Sequence, residues 1–109
     1  MAKASLQFHT DNEKEKNNLY KLAVEEFDKL KKRYDAILSG SVNVDTGVKD
    51  ENTYNSKVTV ILKTKIKDFV GKKINKNSYS AIRQSFEAAE RQIRKTLDKI
   101  SHPWEKNKK

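Results

Sequence analysis

The sequence concentrates its most distinctive chemistry in a row of cations near its C-terminal end. Arg91, Lys95 and Lys99 recur every four residues, which on an α-helix stacks three positive side chains along a line about 12 Å long. Such a line can follow a phosphate backbone. Like charges at this spacing repel by about 0.2–0.5 kcal/mol per pair, and a bound polyanion would relieve that repulsion. Any one of these residues could simply be a charged side chain exposed to solvent, but the three together predict a surface that binds nucleic acid.

Further cations accompany this row. Arg83 and Arg94 flank the apolar stripe of the same predicted helix. An earlier predicted helix adds basic residues outside its own stripe, namely Lys21, Lys29, Lys32 and Arg33. Glu25 and Asp28 interrupt that second group, so the earlier helix is predicted to be the weaker surface.

Net charge is segregated along the chain. The 109 residues include 24 Lys+Arg and 15 Asp+Glu, a formal net charge of +9. Residues 1–55 hold nine basic and ten acidic residues, a net of −1, whereas residues 56–109 hold 15 basic and five acidic ones, a net of +10. Binding to a polyanion requires such segregation and solubility does not. A lysine-rich surface without a partner, a membrane surface and an acidic protein partner stay open as alternatives.

Catalytic and metal-binding patterns are missing from the sequence. The absence of cysteine excludes disulfides, thiolate nucleophiles and cysteine zinc sites. His9 and His102 have no third partner at ligand or triad spacing, and isolated glycines form no phosphate loop. We therefore expect no enzyme, no metal, no cofactor and no small-molecule substrate. Because no apolar run approaches the length of a membrane span and the N-terminus does not resemble a signal peptide, we expect a cytoplasmic protein without a membrane partner.

The elements that must position these cations follow from hydrophobic periodicity. Residues 5–10 predict a strand, because Leu6 and Phe8 alternate with polar residues. Residues 13–37 predict an amphipathic helix that a capping box of Asn12 and Glu15 introduces. Its apolar stripe consists of Leu19, Leu22, Ala23, Phe27, Leu30, Tyr34 and Ile37.

Two strands are predicted next. The first alternates around Val42 and Val44, and residues 47–55 then predict a polar loop unless this strand continues to about residue 49. Residues 57–65 predict a central strand rich in β-branched residues. Its inward side is formed by Val58, Val60 and Leu62.

The remaining chain predicts a fourth strand and a second helix. Residues 66–74 form the strand, in which Gly71 would let a helix approach the sheet closely. An N-cap at Asn77 and Ser78 starts the helix, and Pro103 with the residues before it is expected to stop it. The order β-α-β-β-β-α predicts an α+β fold with a four-stranded sheet and both helices packed on one face, like a double-stranded-RNA-binding domain.

The first-helix run at 30–37 (LKKRYDAI), the second-helix start at 79–82 (YSAI) and the order of elements resemble the ribosome hibernation-promoting factors, also called ribosome-associated inhibitors. The resemblance covers about residues 4–101. The chain differs from the usual pattern of that family at three positions. Asn77 stands where Asp is usual, Arg83 where an acid is frequent, and Glu26 where a basic residue is common.

The resemblance implies a factor that binds the small ribosomal subunit and its 16S-type rRNA between head and body, where mRNA and tRNA otherwise sit, and keeps idle ribosomes inactive. It implies RNA-facing positions at Lys29, Arg91, Gln92, Lys95 and Lys99. It further implies the short form of the family: a ribosome-binding domain at 1–102 with a short basic tail at 103–109, monomeric off the ribosome.

Two other functions stay open from the sequence. One is a double-stranded RNA-binding module unconnected with the ribosome, with Lys72, Lys73 and Lys76 ahead of the last helix. The other is a protein-interaction domain that uses the open face of the sheet. Trp104 in the tail suits either packing over the helix end or stacking on a base.

Overall fold

The computed structural model describes the backbone of residues 5–50 and 53–108 and the side chains of residues 5–47 and 55–96. The described chain forms an α+β fold in the predicted order β-α-β-β-β-α. Its elements are β1 (Leu6–Thr10), α1 (Lys16–Arg33), β2 (Ile37–Asp50), β3 (Thr53–Thr64), β4 (Asp68–Asn75) and α2 (Ser78–Lys108).

The four strands form one sheet in sequence order, β1-β2-β3-β4. β1 pairs in parallel with β2, and the other two pairs are antiparallel. The parallel pair requires a crossover between its strands, and α1 supplies it. Because β1 and β4 are the outermost strands of the described sheet, each has one edge without a neighbouring strand among the described residues.

The core lies between one face of the sheet and the two helices, which confirms the predicted packing. Val42 is paired with Val60 and Val44 with Val58, so all four valines point to the same face, and each is fully buried. Both helices cover that face with their apolar stripes. Their buried hydrophobic residues are Leu19, Leu22, Ala23, Phe27 and Leu30 in α1 and Ala81, Ile82, Phe86, Ala89 and Ile93 in α2.

α1 is shorter than the predicted helix at both ends. The Asn12 side-chain oxygen does accept the Glu15 amide, at 3.1 Å, but the residues between them form a turn, and the helix begins at Lys16. At the other end Tyr34 is extended, with ψ of 101°. Ile37, assigned from its spacing to the helical stripe, is a buried residue of β2. The periodic pattern continued past the helix because Tyr34 and Ile37 both face the core from non-helical backbone.

In place of the polar loop predicted at 47–55, the described residues of this segment belong to the paired ends of β2 and β3, which form a long antiparallel hairpin. The pairing register shifts between Asp45 and Val48, and Gly47 adopts a positive φ of 77°. This bulge absorbs the extra residue, after which the strands pair again as far as Asp50 and Thr53. The polar composition of this segment predicted a loop, but backbone hydrogen bonds between two strands do not require apolar side chains.

β4 begins at Asp68, two residues later than predicted. The preceding residues form a turn around Thr64, whose hydroxyl accepts the amides of Ile66 and Lys67 at 3.1 Å each. These bonds hold Ile66 in the turn, so its apolar side chain is 47% exposed.

The helix stop predicted at Pro103 is wrong, because α2 continues to Lys108. Proline removes one intrahelical donor, but its fixed φ is compatible with helical backbone, so a helix can pass through it. The proposed tail at 103–109 therefore includes helical backbone up to Lys108. The side chain of Trp104 lies outside the described residues.

Candidate nucleic-acid interface

The outer face of α2 presents the first two cations of the predicted row. Asn77 caps the helix, its side-chain oxygen accepting a first-turn amide at 3.1 Å. Phe86 and Ile93 are buried against the core, and Arg91 and Lys95 are exposed on the opposite side of the helix. Cations are thus held on a fixed helix face.

The other predicted residues of α2 differ in position. Arg83 and Arg94 are exposed two turns before and one turn after Glu90, on the flank that faces α1. The backbone of Lys99 is part of α2, but the side chain of Lys99 is outside the described residues. Gln92 is exposed, and its amide donates to the backbone carbonyl of Val70 in β4 at 2.8 Å. The Gln92 side chain therefore contacts the sheet edge.

Two contacts fix the orientation of α2 on the sheet. A Cβ placed on Gly71 would overlap the Ser85 carbonyl oxygen, so β4 and the helix backbone touch at this point. The buried Ser85 hydroxyl donates to the carbonyl of Val58 at 3.2 Å. The predicted close approach at Gly71 is confirmed, and it determines which helix face remains exposed to a partner.

The α1 cations of the predicted set are all exposed, but two of them contact acids. Lys29 Nζ lies 3.3 Å from Glu26 Oε2, and Arg33 Nη1 lies 2.6 Å from Glu90 Oε2. Among the described side chains, these are the ion pairs shorter than 4.0 Å. Lys32 is exposed on the same helix. The positive charge of α1 is therefore partly neutralised.

Glu90 also ties the end of α1 to the middle of α2. Its Oε2 accepts the Tyr34 hydroxyl at 3.0 Å in addition to the Arg33 guanidinium. Partial burial raises the pKa of the Tyr34 phenol, and the hydrogen bond to Glu90 adds to the effect. The hydrogen bond to Glu90 likewise raises the pKa of Arg33. Both donors therefore keep their protons at neutral pH.

A groove between the two helices separates their cations. Three carboxylates line it, those of Glu26, Glu87 and Glu90, together with Lys29 and Arg33. Carboxylates repel phosphates. The helix layer is therefore not uniformly basic: it offers one row of cations on α2 and another on α1, with a mixed-charge groove between them.

A second carboxylate joins the beginnings of the two helices. Glu15 Oε1 accepts the Tyr79 hydroxyl at 2.5 Å and the Asn18 amide at 3.4 Å. The Tyr79 hydrogen bond lowers the pKa of Glu15, and the same bond raises the pKa of Tyr79. Together with Glu90, this contact sets the spacing between the two rows of cations.

The largest excess of positive charge lies outside the predicted site, on the β3–β4 region. Residues 57–76 hold seven lysines and one acid, whereas residues 78–96 hold four basic and two acidic residues. Counting charge by element, and not by half of the chain, would have found it. Five of these lysines lie on β4 or next to its ends and are exposed, and we call them the β4 lysine edge: Lys65, Lys67, Lys72, Lys73 and Lys76.

Within the described ranges, no three His, Cys, Asp or Glu side chains lie together in a way that could hold a metal ion. His9 is exposed on β1. None of the helices in the described chain combines the length and the apolarity needed to cross a membrane.

The fold and these surfaces define a small α+β domain with exposed cations on its helix layer and on one sheet edge. The chain belongs to the family described as sigma 54 modulation protein / S30EA ribosomal protein, whose family model matches residues 6–101. Members of this family are non-enzymatic, ribosome-associated factors. The match confirms the predicted resemblance to the ribosome hibernation-promoting factors. No protein of curated function matches the sequence.

Proposed function

We propose that this chain is a cytoplasmic ribosome hibernation factor that binds the small ribosomal subunit at the mRNA and tRNA channel and blocks translation in idle ribosomes. Membership of a ribosome-associated family supports the partner. The observation that carries the binding mode is the exposed pair Arg91 and Lys95 on an α2 face that Gly71 and Ser85 fix in place.

The phosphate backbone of rRNA is the expected ligand of these cations. Arg91 and Lys95 stand one helical turn apart, about 6 Å along the axis. Arg94, beside Lys95 on α2, and Lys32 on α1 are further exposed cations of the helix layer. Lysine and arginine that neutralise phosphates release condensed counterions, so binding should weaken steeply as salt concentration rises.

Co-sedimentation with purified small subunits tests this proposal. We expect Arg91→Glu/Lys95→Glu to reduce binding at least tenfold at 0.1 M salt, since two phosphate contacts become repulsive. The matched control is Lys14→Glu/Lys31→Glu, which changes the net charge equally at exposed lysines outside the proposed surface. Equal binding of the first variant and the unchanged protein would reject the helix surface.

The location in the channel needs a separate measurement. Subunits loaded beforehand with mRNA and tRNA should take up less of the protein than empty subunits. In a cell-free translation reaction, excess protein should lower synthesis, and the Arg91→Glu/Lys95→Glu variant should not. Undiminished uptake by loaded subunits would place the binding site elsewhere on the ribosome.

A double-stranded RNA-binding module is the second candidate, because Lys73 and Lys76 are exposed just ahead of the α2 N-terminus. Such modules recognise a duplex of about 16 base pairs by its shape. Binding to a free duplex of that length as tight as binding to small subunits would favour this candidate. Much weaker binding to the duplex would favour the ribosomal one.

A further inference from the structure

The β4 lysine edge is a second region of concentrated positive charge. Of the seven lysines in residues 57–76, Lys57 stands across from Asp45 and Lys63 across from Asp68. These two lysines therefore have an acid on the neighbouring strand. The five lysines of the edge follow β4 from the turn before it to the loop after it. Asp68 is the one acid within that stretch.

The shape of this edge fits an extended backbone of phosphates. β4 has eight residues, which at about 3.3 Å per residue gives roughly 26 Å. Lys72 and Lys73 are consecutive, so their side chains leave the strand on opposite faces and straddle the edge. Ammonium groups that rotate on flexible stems suit phosphates, which need charge more than a fixed geometry.

Addition of a further β-strand fits the edge less well. Gln92 already donates to the Val70 carbonyl, which points away from β3. Lysines on an edge strand discourage strand pairing, and a second copy of this chain would bring the same five lysines against each other. A polyanion is thus favoured over a peptide strand or a dimer.

The β4 lysine edge extends beyond the side of the sheet on which the α2 row of cations lies. Lys73, in register with the buried Val58, is on the face that the helices cover, whereas Lys72, in register with Thr59, is on the opposite face. A straight segment of RNA along α2 therefore cannot also follow the edge as far as Lys72. We infer that the β4 lysine edge binds a second segment of RNA backbone, so that the protein is held between two separate rRNA segments. This inference rests on the proposed function for the identity of the RNA.

Directed hydroxyl-radical cleavage tests the arrangement in the complex with small subunits. The chain has no cysteine, so Ile74→Cys on β4 and Ala88→Cys on α2 can each carry a single iron chelate. Ile74 is 56% exposed and is not one of the lysines. We expect the two probes to cleave different rRNA segments. Cleavage from Ala88→Cys alone, or cleavage of the same nucleotides by both, would overturn the inference and leave the proposed function standing.

A variant that removes the charge of three edge lysines distinguishes direct contact with RNA phosphates from mere closeness to the RNA. Lys72→Gln/Lys73→Gln/Lys76→Gln should weaken binding to small subunits at least tenfold and reduce the slope of log affinity against log salt by about 2. Lys14→Gln/Lys31→Gln should change neither quantity. Weaker binding with an unchanged slope would point to a ribosomal protein as the contact and overturn the inference, as would unchanged binding. Failure of the unchanged protein to bind subunits would instead refute the proposed function.

Discussion

The Glu90 carboxylate in the middle of α2 lies 2.6 Å from the guanidinium of Arg33, the last residue of α1. An acid therefore occupies the surface between the two rows of cations, and it holds the helices together at the same time. Stability and polyanion binding place opposite demands on this side chain. Removing its charge should weaken the first and strengthen the second.

We expect Glu90→Gln to lower the melting temperature slightly and to raise affinity for small subunits about twofold, because one nearby negative charge is lost. The amide retains an oxygen for the Tyr34 hydroxyl, so the helices should stay in place. Thermal denaturation and co-sedimentation provide the two measurements. Glu25→Gln, on the exposed side of α1, is the control for charge alone. A Glu90→Gln variant that binds more weakly than the unchanged protein would contradict this account.

Gly71→Ala should destabilise the fold by about 1–3 kcal/mol or more, because its Cβ would overlap the backbone of Ser85 and force α2 away from β4. Urea denaturation measures the free energy of unfolding. The neighbouring change Lys72→Ala, at an exposed position of the same strand, should stay within about 0.5 kcal/mol. Similar values for the two variants would mean that the helix has room to shift.

Gln92→Ala should lower the free energy of unfolding by about 0.5–1 kcal/mol through loss of the hydrogen bond to Val70. We expect affinity for small subunits to stay within about twofold, since the side chain is engaged with the sheet edge. Gln84→Ala, which loses a longer contact of 3.4 Å to Asn75, serves as the control. A fall in affinity as large as that of Arg91→Ala would assign Gln92 the RNA-facing role that the resemblance implies.

Low pH should remove the contributions of Asp11 and Glu15 to the stability of the fold. Hydrogen bonds from the Thr46 side chain and amide lower the pKa of Asp11, and the Tyr79 hydroxyl lowers that of Glu15. A carboxyl group whose pKa is lower in the folded state stabilises the fold above its unfolded pKa. That stabilisation is lost as pH falls through the folded pKa, here below about pH 4.

Tyr79→Phe isolates the Glu15 contribution to this pH dependence. The ring is kept and the hydroxyl is lost, so the variant should be less stable than the unchanged protein at pH 7, and the difference should shrink at pH 3. Urea midpoints at the two pH values measure it. Tyr20→Phe, which changes an exposed tyrosine on α1, should give a difference independent of pH. A Tyr79→Phe difference that persists at pH 3 would show that Glu15 ionisation does not support the hydroxyl contact.

The sequence predicted well wherever a pattern repeated within one element. Alternation identified the buried valines of β2 and β3, and an Asx cap identified the start of α2. Errors arose where the pattern did not change at an element boundary. Tyr34 and Ile37 kept helical spacing although their backbone is not helical, and Gly47 allowed pairing to resume across a polar stretch.

The candidate site could be predicted only in part. Exposure of the cations followed from helix periodicity, so Arg91 and Lys95 are where expected. The acids that neutralise Lys29 and Arg33 differ in how far the sequence could predict them. Glu26 is three residues from Lys29, but Glu90 reaches Arg33 from another helix 57 residues away. Such partners depend on how the helices pack, which no local pattern contains.

The parallel pairing of β1 with β2 bears on the order in which the chain folds. Leu6 meets Gly40 across this pair, about 34 residues along the chain, whereas the end of β2 and the start of β3 are three residues apart in sequence. Closing the longer loop costs more chain entropy before any contact compensates for it. The β2–β3 hairpin should therefore form early and the five-residue β1 should join last. The amides of β1 should then exchange with solvent through local opening, while the rest of the sheet stays folded.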